Sequence, residues 1–317
     1  MKQTIYDRFS TDQVMMTLSA VAYSSFDSIV DLQDNLNSVE ALEQEYDALW
    51  LFKDVSNLMF VVKNKMTDDY AIAIRGPVFR FDLPLFFNIY ETLGITSQVP
   101  LPHGKLGNAR IAGGILDTLT DMNNASYKGR SLNKLAKSLP AHAKVYITGH
   151  SLGGSFANAL AANLAGDNSL QLDIIPYTFG APTTGNKSFA ELFNPDSGTY
   201  LFSQSSRCIN FWDIMPYAWQ DLQGIPSIDY RNVRCPIDLT MCVDCIARLL
   251  ILSRVSYAQP PMNLQLQGDI EPNDSFFQEA MFQHQHNTYL SLLGLNPVRS
   301  SAYSYKQRKE GVLAESL

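Results

Sequence analysis

The stretch Thr148-Gly149-His150-Ser151-Leu152-Gly153-Gly154 constrains this chain more than any other. Lys144-Val145-Tyr146-Ile147 precedes it and, being β-branched and aromatic, reads as a buried strand. Leu152, Phe156, Leu160 and Leu164 follow at four-residue steps, the spacing of one helix face. Gly-His-Ser-Leu-Gly therefore sits on a strand–turn–helix, the context a nucleophile elbow needs. A serine there occupies a sharp, strained turn that lifts its hydroxyl above the sheet. Gly149 and Gly153 leave space that any Cβ would fill. The new helix aims its positive end and free N–H groups at the site, which offers the Leu152 N–H to an oxyanion. Ser151 is the expected nucleophile.

The elbow has ample chain around it. With 317 residues, 46% of them hydrophobic, the chain can bury one large α/β core or two small ones. Its net charge of -7 argues against nucleic acid as a partner. No apolar run reaches the length of a membrane span. Met1-Lys2-Gln3-Thr4-Ile5-Tyr6-Asp7-Arg8 has no apolar stretch after its lysine, so no cleavable signal peptide is expected. The reading is a cytoplasmic protein, or one exported without such a signal. Cys242-x-x-Cys245, with Cys235 close by, has no second pair and no histidine nearby. Buried free thiols are expected there, with no metal and no cofactor.

Along the chain, Ser10-Thr11-Asp12 caps a first helix whose apolar face is Val14, Leu18, Val21 and Ala22. Glu40 to Tyr46 reads as a polar helix. Leu58–Val62 and Tyr70–Ile74 read as an antiparallel hairpin at one side of a sheet. Phe79 to Tyr90 is dense in large apolar residues and broken by Pro84. Phe79, Phe81, Leu85 and Phe86 within it fit a movable flap over a greasy pocket, or a buried helix. Ala112–Met122 and Ser131–Leu139 read as pieces of a helix ended by Pro140. Ile174–Phe179 and Cys208–Trp212 are further strands, the second running to Asp213. This alternation predicts an α/β fold, a mostly parallel central sheet flanked by helices on both faces. In such sheets the site lies beyond the carboxyl ends of the strands, where Ser151 and Asp213 both fall. Residues 221–267 are less regular, and Leu239–Val255 reads as an apolar helix within an insertion that caps the site. The expected organisation is one domain over 1–298 and a polar tail over 299–317.

A serine hydroxyl is a weak nucleophile. It needs a base, and the base needs an orienting acid. Of the five histidines, His150 lies inside the elbow and cannot fold back onto its neighbour's hydroxyl. His142 precedes the elbow strand, and His103 lies in an upstream loop. His284 and His286 lie downstream, giving the chain order Ser, Asp, His. On the residues alone both remain open.

Four motifs together resemble the class 3, fungal-type lipase family of α/β-hydrolases. They are Val145 to Gly154; Tyr177-Thr178-Phe179-Gly180-Ala181-Pro182 with Gly185-Asn186 and Phe189; Asn210-Phe211-Trp212-Asp213-Ile214-Met215-Pro216; and His286-Asn287-Thr288-Tyr289-Leu290. With Tyr70 to Gly76 at their head, they span most of the chain. The resemblance implies an α/β-hydrolase that cleaves ester bonds of lipids and small acyl esters without a cofactor. It assigns the triad acid to Asp213 and, through a closing His-x-x-Tyr pattern, the base to His286. It places a lid just after Arg75-Gly76, which favours the flap reading of Phe79 to Tyr90. It also places a second oxyanion donor there, and this chain departs from the family at that position. Pro77 has no N–H, so the donor is expected from the turn around it, at Val78 or Gly76. The expected function is a serine lipase or carboxylesterase working through an acyl-enzyme, with a lipid or small ester as substrate and transient contact with a lipid surface. A phospholipase or acyltransferase is the alternative among enzymes. Pro77 keeps open an alternative of another class, a catalytically impaired binding or signalling module.

Overall fold

A seven-stranded sheet runs through the computed structural model, in the order β1-β2-β3-β4-β5-β6-β7. The strands are β1 (Tyr46–Lys53), β2 (Leu58–Asn64), β3 (Tyr70–Arg75), β4 (Ala143–His150), β5 (Leu172–Phe179), β6 (Ser206–Asn210) and β7 (Leu264–Leu266). The structure describes residues 5–54, 57–76, 89–91, 93–103, 106–271 and 274–299. The expected oxyanion residues Pro77 and Val78 and the expected flap residues Phe79, Phe81, Leu85 and Phe86 lie outside the described residues, as does 300–317.

From β3 to β7 every pairing is parallel, while β1 and β2 are antiparallel. The expected hairpin is thus β2–β3, with β1 as an additional strand on its outer side. The polar helix expected over Glu40 to Tyr46 is only a 3-10 turn, Glu40–Leu42, and Tyr46 already opens β1. Tyr46 and Trp50 are almost fully buried, so tertiary burial of large aromatics overrides a locally polar sequence.

Helices cover both faces of the sheet. They include α1 (Thr11–Val21), α2 (Ile29–Ser38), α3 (Gly113–Asn124), α4 (Leu152–Gly166), α5 (Ile237–Leu252), α6 (Phe276–His284) and α7 (His286–Leu292). Ser10 caps α1 through a reciprocal capping box with Gln13. Strand alternation divides the core between the two faces. Ile72, Ile74, Val145 and Ile147 face α4 with Phe156 and Leu160, whereas Ala71, Ala73 and Tyr146 face α1 with Val14 and Leu18. α4 is buried along nearly its whole length because it lies in the groove of β3, β4 and β5. The long helical piece expected before Pro140 is divided. A two-stranded hairpin, Ser126–Tyr127 with Arg130–Ser131, separates α3 from a short helix at Leu132–Ala136.

Residues 221–267, expected as a cap, do more than one thing. They carry α5 and then return to the sheet as β7, parallel to β6. The thiols in this segment are free, and only part of the burial expectation holds: Cys242 is buried, Cys235 is half-buried and Cys245 is exposed. Cys245 lies three residues beyond Cys242 and turns off the inward face of α5.

Candidate active site

β4 ends on His150 and α4 begins on Leu152, so Ser151 alone makes the turn between strand and helix. It sits at φ 58° and ψ -134°, a conformation that costs a non-glycine residue roughly 1–3 kcal/mol. The turn is held because the Ser151 amide donates to the Phe179 carbonyl on β5, at 2.9 Å. Space makes it feasible. A Cβ on Gly149 would lie 2.2 Å from the Gly153 carbonyl oxygen, and one on Gly153 would lie 2.2 Å from the Ile74 carbonyl oxygen. These glycines let α4 press on β3 and β4 closely enough to raise Ser151 at the carboxyl end of the sheet.

β6 brings Asp213 to the same end. Its carboxylate is fully buried, and its Oδ1 accepts from the Met215 amide at 2.9 Å. Its Oδ2 accepts from the Tyr289 hydroxyl at 2.7 Å and lies 2.8 Å from His284 Nδ1. The other ring nitrogen, His284 Nε2, lies 2.7 Å from Ser151 Oγ. With a carboxylate as acceptor the ring proton sits on Nδ1, and Nε2 accepts from the serine hydroxyl. Ser151, His284 and Asp213 thus form one hydrogen-bonded line.

This corrects the expectation that His286 is the histidine facing Ser151. The chain between the two histidines is not one helix. Gln285, at φ -62° and ψ 140°, ends α6 and starts α7, so His284 closes one helix and His286 opens the next. His286 stacks on Tyr23 instead, with ring centroids 4.6 Å apart and planes within 9°. Its Nε2 is buried and has no hydrogen-bond partner among the described residues. The His-x-x-Tyr spacing pointed away from the histidine that contacts Ser151, since the tyrosine of that pattern, and not its histidine, meets Asp213. Tyr289 reaches Asp213, while the histidine three residues earlier turns into the core.

Burial, followed by the neighbouring His284, lowers the His286 pKa to about 4. The unfolded chain, with an ordinary histidine near 6.5, therefore binds this proton more readily than the fold does. Stability should rise with pH between about 4 and 6.5 and be lost as pH falls through that window, by about 3 kcal/mol from this one group. Denaturant midpoints measured across it should show that slope, and His286→Phe, which keeps a ring on Tyr23, should flatten it.

Two contacts were not legible in the sequence. His150 Nε2 lies 2.7 Å from the His284 backbone carbonyl, and His150 Nδ1 lies 3.1 Å from the Tyr23 hydroxyl. A carbonyl can only accept, so Nε2 carries the proton and Nδ1 accepts from Tyr23. Burial first, then the adjacent histidines, hold the His150 pKa well below its ordinary value, which preserves this neutral tautomer. Asn210 forms the second contact, donating to both the Gln283 carbonyl and its side chain, at 3.0 and 2.6 Å. These two clamps hold the end of α6 at Gln283 and at His284 itself. No local spacing signals them, because Tyr23 and Gln283 meet their partners only through tertiary packing.

Tyr289 is the exception, since its motif pointed to it. Burial, then Asp213, pushes its phenol well above the usual range, so it remains a donor to the carboxylate. Tyr289→Phe should lower stability by about 1.5–3 kcal/mol, the worth of a hydrogen bond to a charged group. A denaturant melt should show that loss.

Among known proteins, the class 3 lipase family model matches residues 87–221. A crystal structure described as M37 lipase superposes with a TM-score of 0.76 at 21% identity, covering 90% of this chain and 93% of that one. Lip2 lipase from Yarrowia lipolytica gives 0.53 at 16% identity, over 91% and 94%. The propeptide complex of Rhizomucor miehei lipase gives 0.52 at 18% identity, over 92% and 81%. At these identities the likenesses establish the fold, which is that of the α/β-hydrolases.

Proposed function

We propose that this chain, similar over residues 87–221 to the class 3 lipases and of α/β-hydrolase fold, is a serine hydrolase of lipid or small acyl esters. The observation that carries the reading is the line Ser151–His284–Asp213, with contacts of 2.7 and 2.8 Å. Ser151 Oγ attacks the ester carbonyl while His284 Nε2 takes its proton. Asp213 holds the imidazole's tautomer and stabilises the cation that forms. The alcohol leaves with that proton, and water then repeats the sequence in reverse on the acyl-enzyme.

Charge building on the carbonyl oxygen needs donors already in place. The Leu152 amide, in the first turn of α4, supplies one, since the first four amides of a helix have no partner within it. The second is assigned to the amide of Val78 or Gly76, because Pro77 has none. His150 and Tyr23 position the base by fixing the backbone of His284.

A fluorophosphonate probe tests this directly, because only an activated serine reacts with it. Wild type should be labelled on Ser151 and should hydrolyse at least one member of an ester panel of graded acyl length. Absence of both labelling and hydrolysis would instead favour a lipase-like binding module.

A further inference from the structure

Beyond the carboxyl ends of β6 and β7 lies a cavity of about 300 Å³ that the line Ser151–His284–Asp213 does not use. Trp212, Asp229, Arg231, Asn232, Gln267 and Asp269 line it. Trp212 comes shortly after β6, which ends at Asn210, and Gln267 directly follows β7, which ends at Leu266. Both strands run parallel to β4, so the cavity and Ser151 lie at the same end of the sheet. β6 and β7 stand two and three places from β4, about 10 and 14 Å across the sheet. Trp212 is also the sequence neighbour of Asp213, whose carboxylate meets His284.

Both walls of the cavity are fixed in advance. One is the tip of a two-residue hairpin in which Tyr230 pairs with Val233. Arg231 and Asn232 have φ of 51° and 76°, positive at both central residues as a type I′ turn requires. Asparagine tolerates that conformation better than arginine does. The Asp229 carboxylate accepts from the Asn232 amide, and the buried Tyr230 donates to the Trp212 carbonyl at 2.7 Å. The other wall is the chain leaving β7. The Gly268 amide donates to Asn210 Oδ1 at 3.1 Å, and the Asp269 carbonyl accepts from Gln283 Nε2 at 2.8 Å. Asn210 and Gln283 also hold the end of α6, so this wall and His284 share their anchors.

The side chains decide which ligand suits the cavity. Those of Arg231, Asn232, Gln267 and Asp269 make no hydrogen bond or ion pair among the described residues, and the Trp212 indole N–H has no partner there either. The guanidinium and the indole only donate, the carboxylates only accept, and the two amides do both. A phosphate only accepts and an ammonium only donates, so each would leave part of this set unmatched. A hydroxyl does both, and several hydroxyls on one ring match a mixed set. Two carboxylates, Asp229 and Asp269, against one arginine further oppose a phosphate. The Trp212 ring adds an apolar surface for the C–H face of a sugar. At about 300 Å³ the cavity is at the small end of ligand sites, the scale of one sugar ring rather than of a long acyl chain.

We propose that this cavity is a head-group subsite for a hexose, joined through glycerol to the ester that Ser151 attacks, so that the substrate class is a glycosylated glycerolipid. The glycerol unit spans the distance between the two places on the sheet. Trp212 stacks on the ring, Asp229 and Asp269 accept from its hydroxyls, and Arg231, Asn232 and Gln267 donate to them. The proposal deepens the proposed function and rests on it for the reaction, not for the binding of the sugar.

The test compares kcat/KM for dihexanoylglycerol with that for the same diester bearing galactose or glucose on its third carbon. At least one sugar should raise kcat/KM by about tenfold, the worth of one or two hydrogen bonds. Asn232→Gly keeps the left-handed turn and removes the amide, and Asp269→Ala keeps the carbonyl that Gln283 needs. Each should bring the ratio of the two rates back towards one. A partly unfolded sample lowers both rates alike and leaves that ratio where it was. Equal kcat/KM with and without either sugar, or a ratio that both variants leave unchanged, overturns the subsite. So does a larger gain for dihexanoylphosphatidylcholine than for either sugar, which would assign the cavity to a phosphate. Binding is read separately in Ser151→Ala by saturation-transfer NMR with galactosylglycerol and glucosylglycerol, which carry no ester. Signals that Asn232→Gly weakens support the site, and silence from both sugars overturns it. Such signals without hydrolysis of any diester by wild type count against the hydrolase reading alone.

Discussion

Ser151→Ala is expected to remove ester hydrolysis while leaving the fold intact. Loss of the nucleophile of a Ser-His-Asp unit lowers turnover on the order of a millionfold in a serine protease, and a similar fall is expected here. The fold should survive because the turn is held by backbone contacts that alanine keeps, the Ser151 amide to Phe179 and the Gly154 amide to the Ser151 carbonyl, both at 2.9 Å. Alanine also retains the Cβ, so the strained φ of 58° is unchanged. The measurement is turnover on a soluble ester beside a thermal melt. Full activity in a folded variant would mean that some other group performs the attack.

His284→Ala should be nearly as damaging, and His286→Phe should not. His284 is the side chain that contacts both Ser151 and Asp213, at 2.7 and 2.8 Å, so its removal takes away the proposed base and its link to the proposed acid together. The expected fall is again many decades, because members of such a unit act together and their losses do not add. His286 lies stacked on Tyr23, and a phenyl ring can keep that stack. A folded His286→Phe should therefore hydrolyse esters at close to the wild-type rate and differ chiefly in its acid stability. If His286→Phe were the dead variant and His284→Ala the active one, the assignment of the base would be reversed.

The sequence by itself determined whatever depends on neighbours along the chain. The strand, turn and helix around Ser151 were legible because β-branched runs, glycine placement and four-residue steps act locally. The Ser10 cap was legible for the same reason, since a capping box spans only four residues. Asp213 was singled out through the resemblance of Asn210 to Pro216 to a family motif, and it lies 2.8 Å from His284 Nδ1. β1 and β7 were not legible, because Tyr46 to Lys53 and Leu264 to Leu266 become strands by pairing with distant chain and carry little local signal. The choice between His284 and His286 was likewise out of reach. Both residues lie within one apparent helical run, and only packing shows that Gln285 breaks it. His150 and Asn210 then grip the backbone of one helix end, and Tyr23 draws the second imidazole away. Which of two nearby side chains faces the serine is a difference of a single backbone dihedral pair at Gln285. Contacts from residues far apart in the chain decide it.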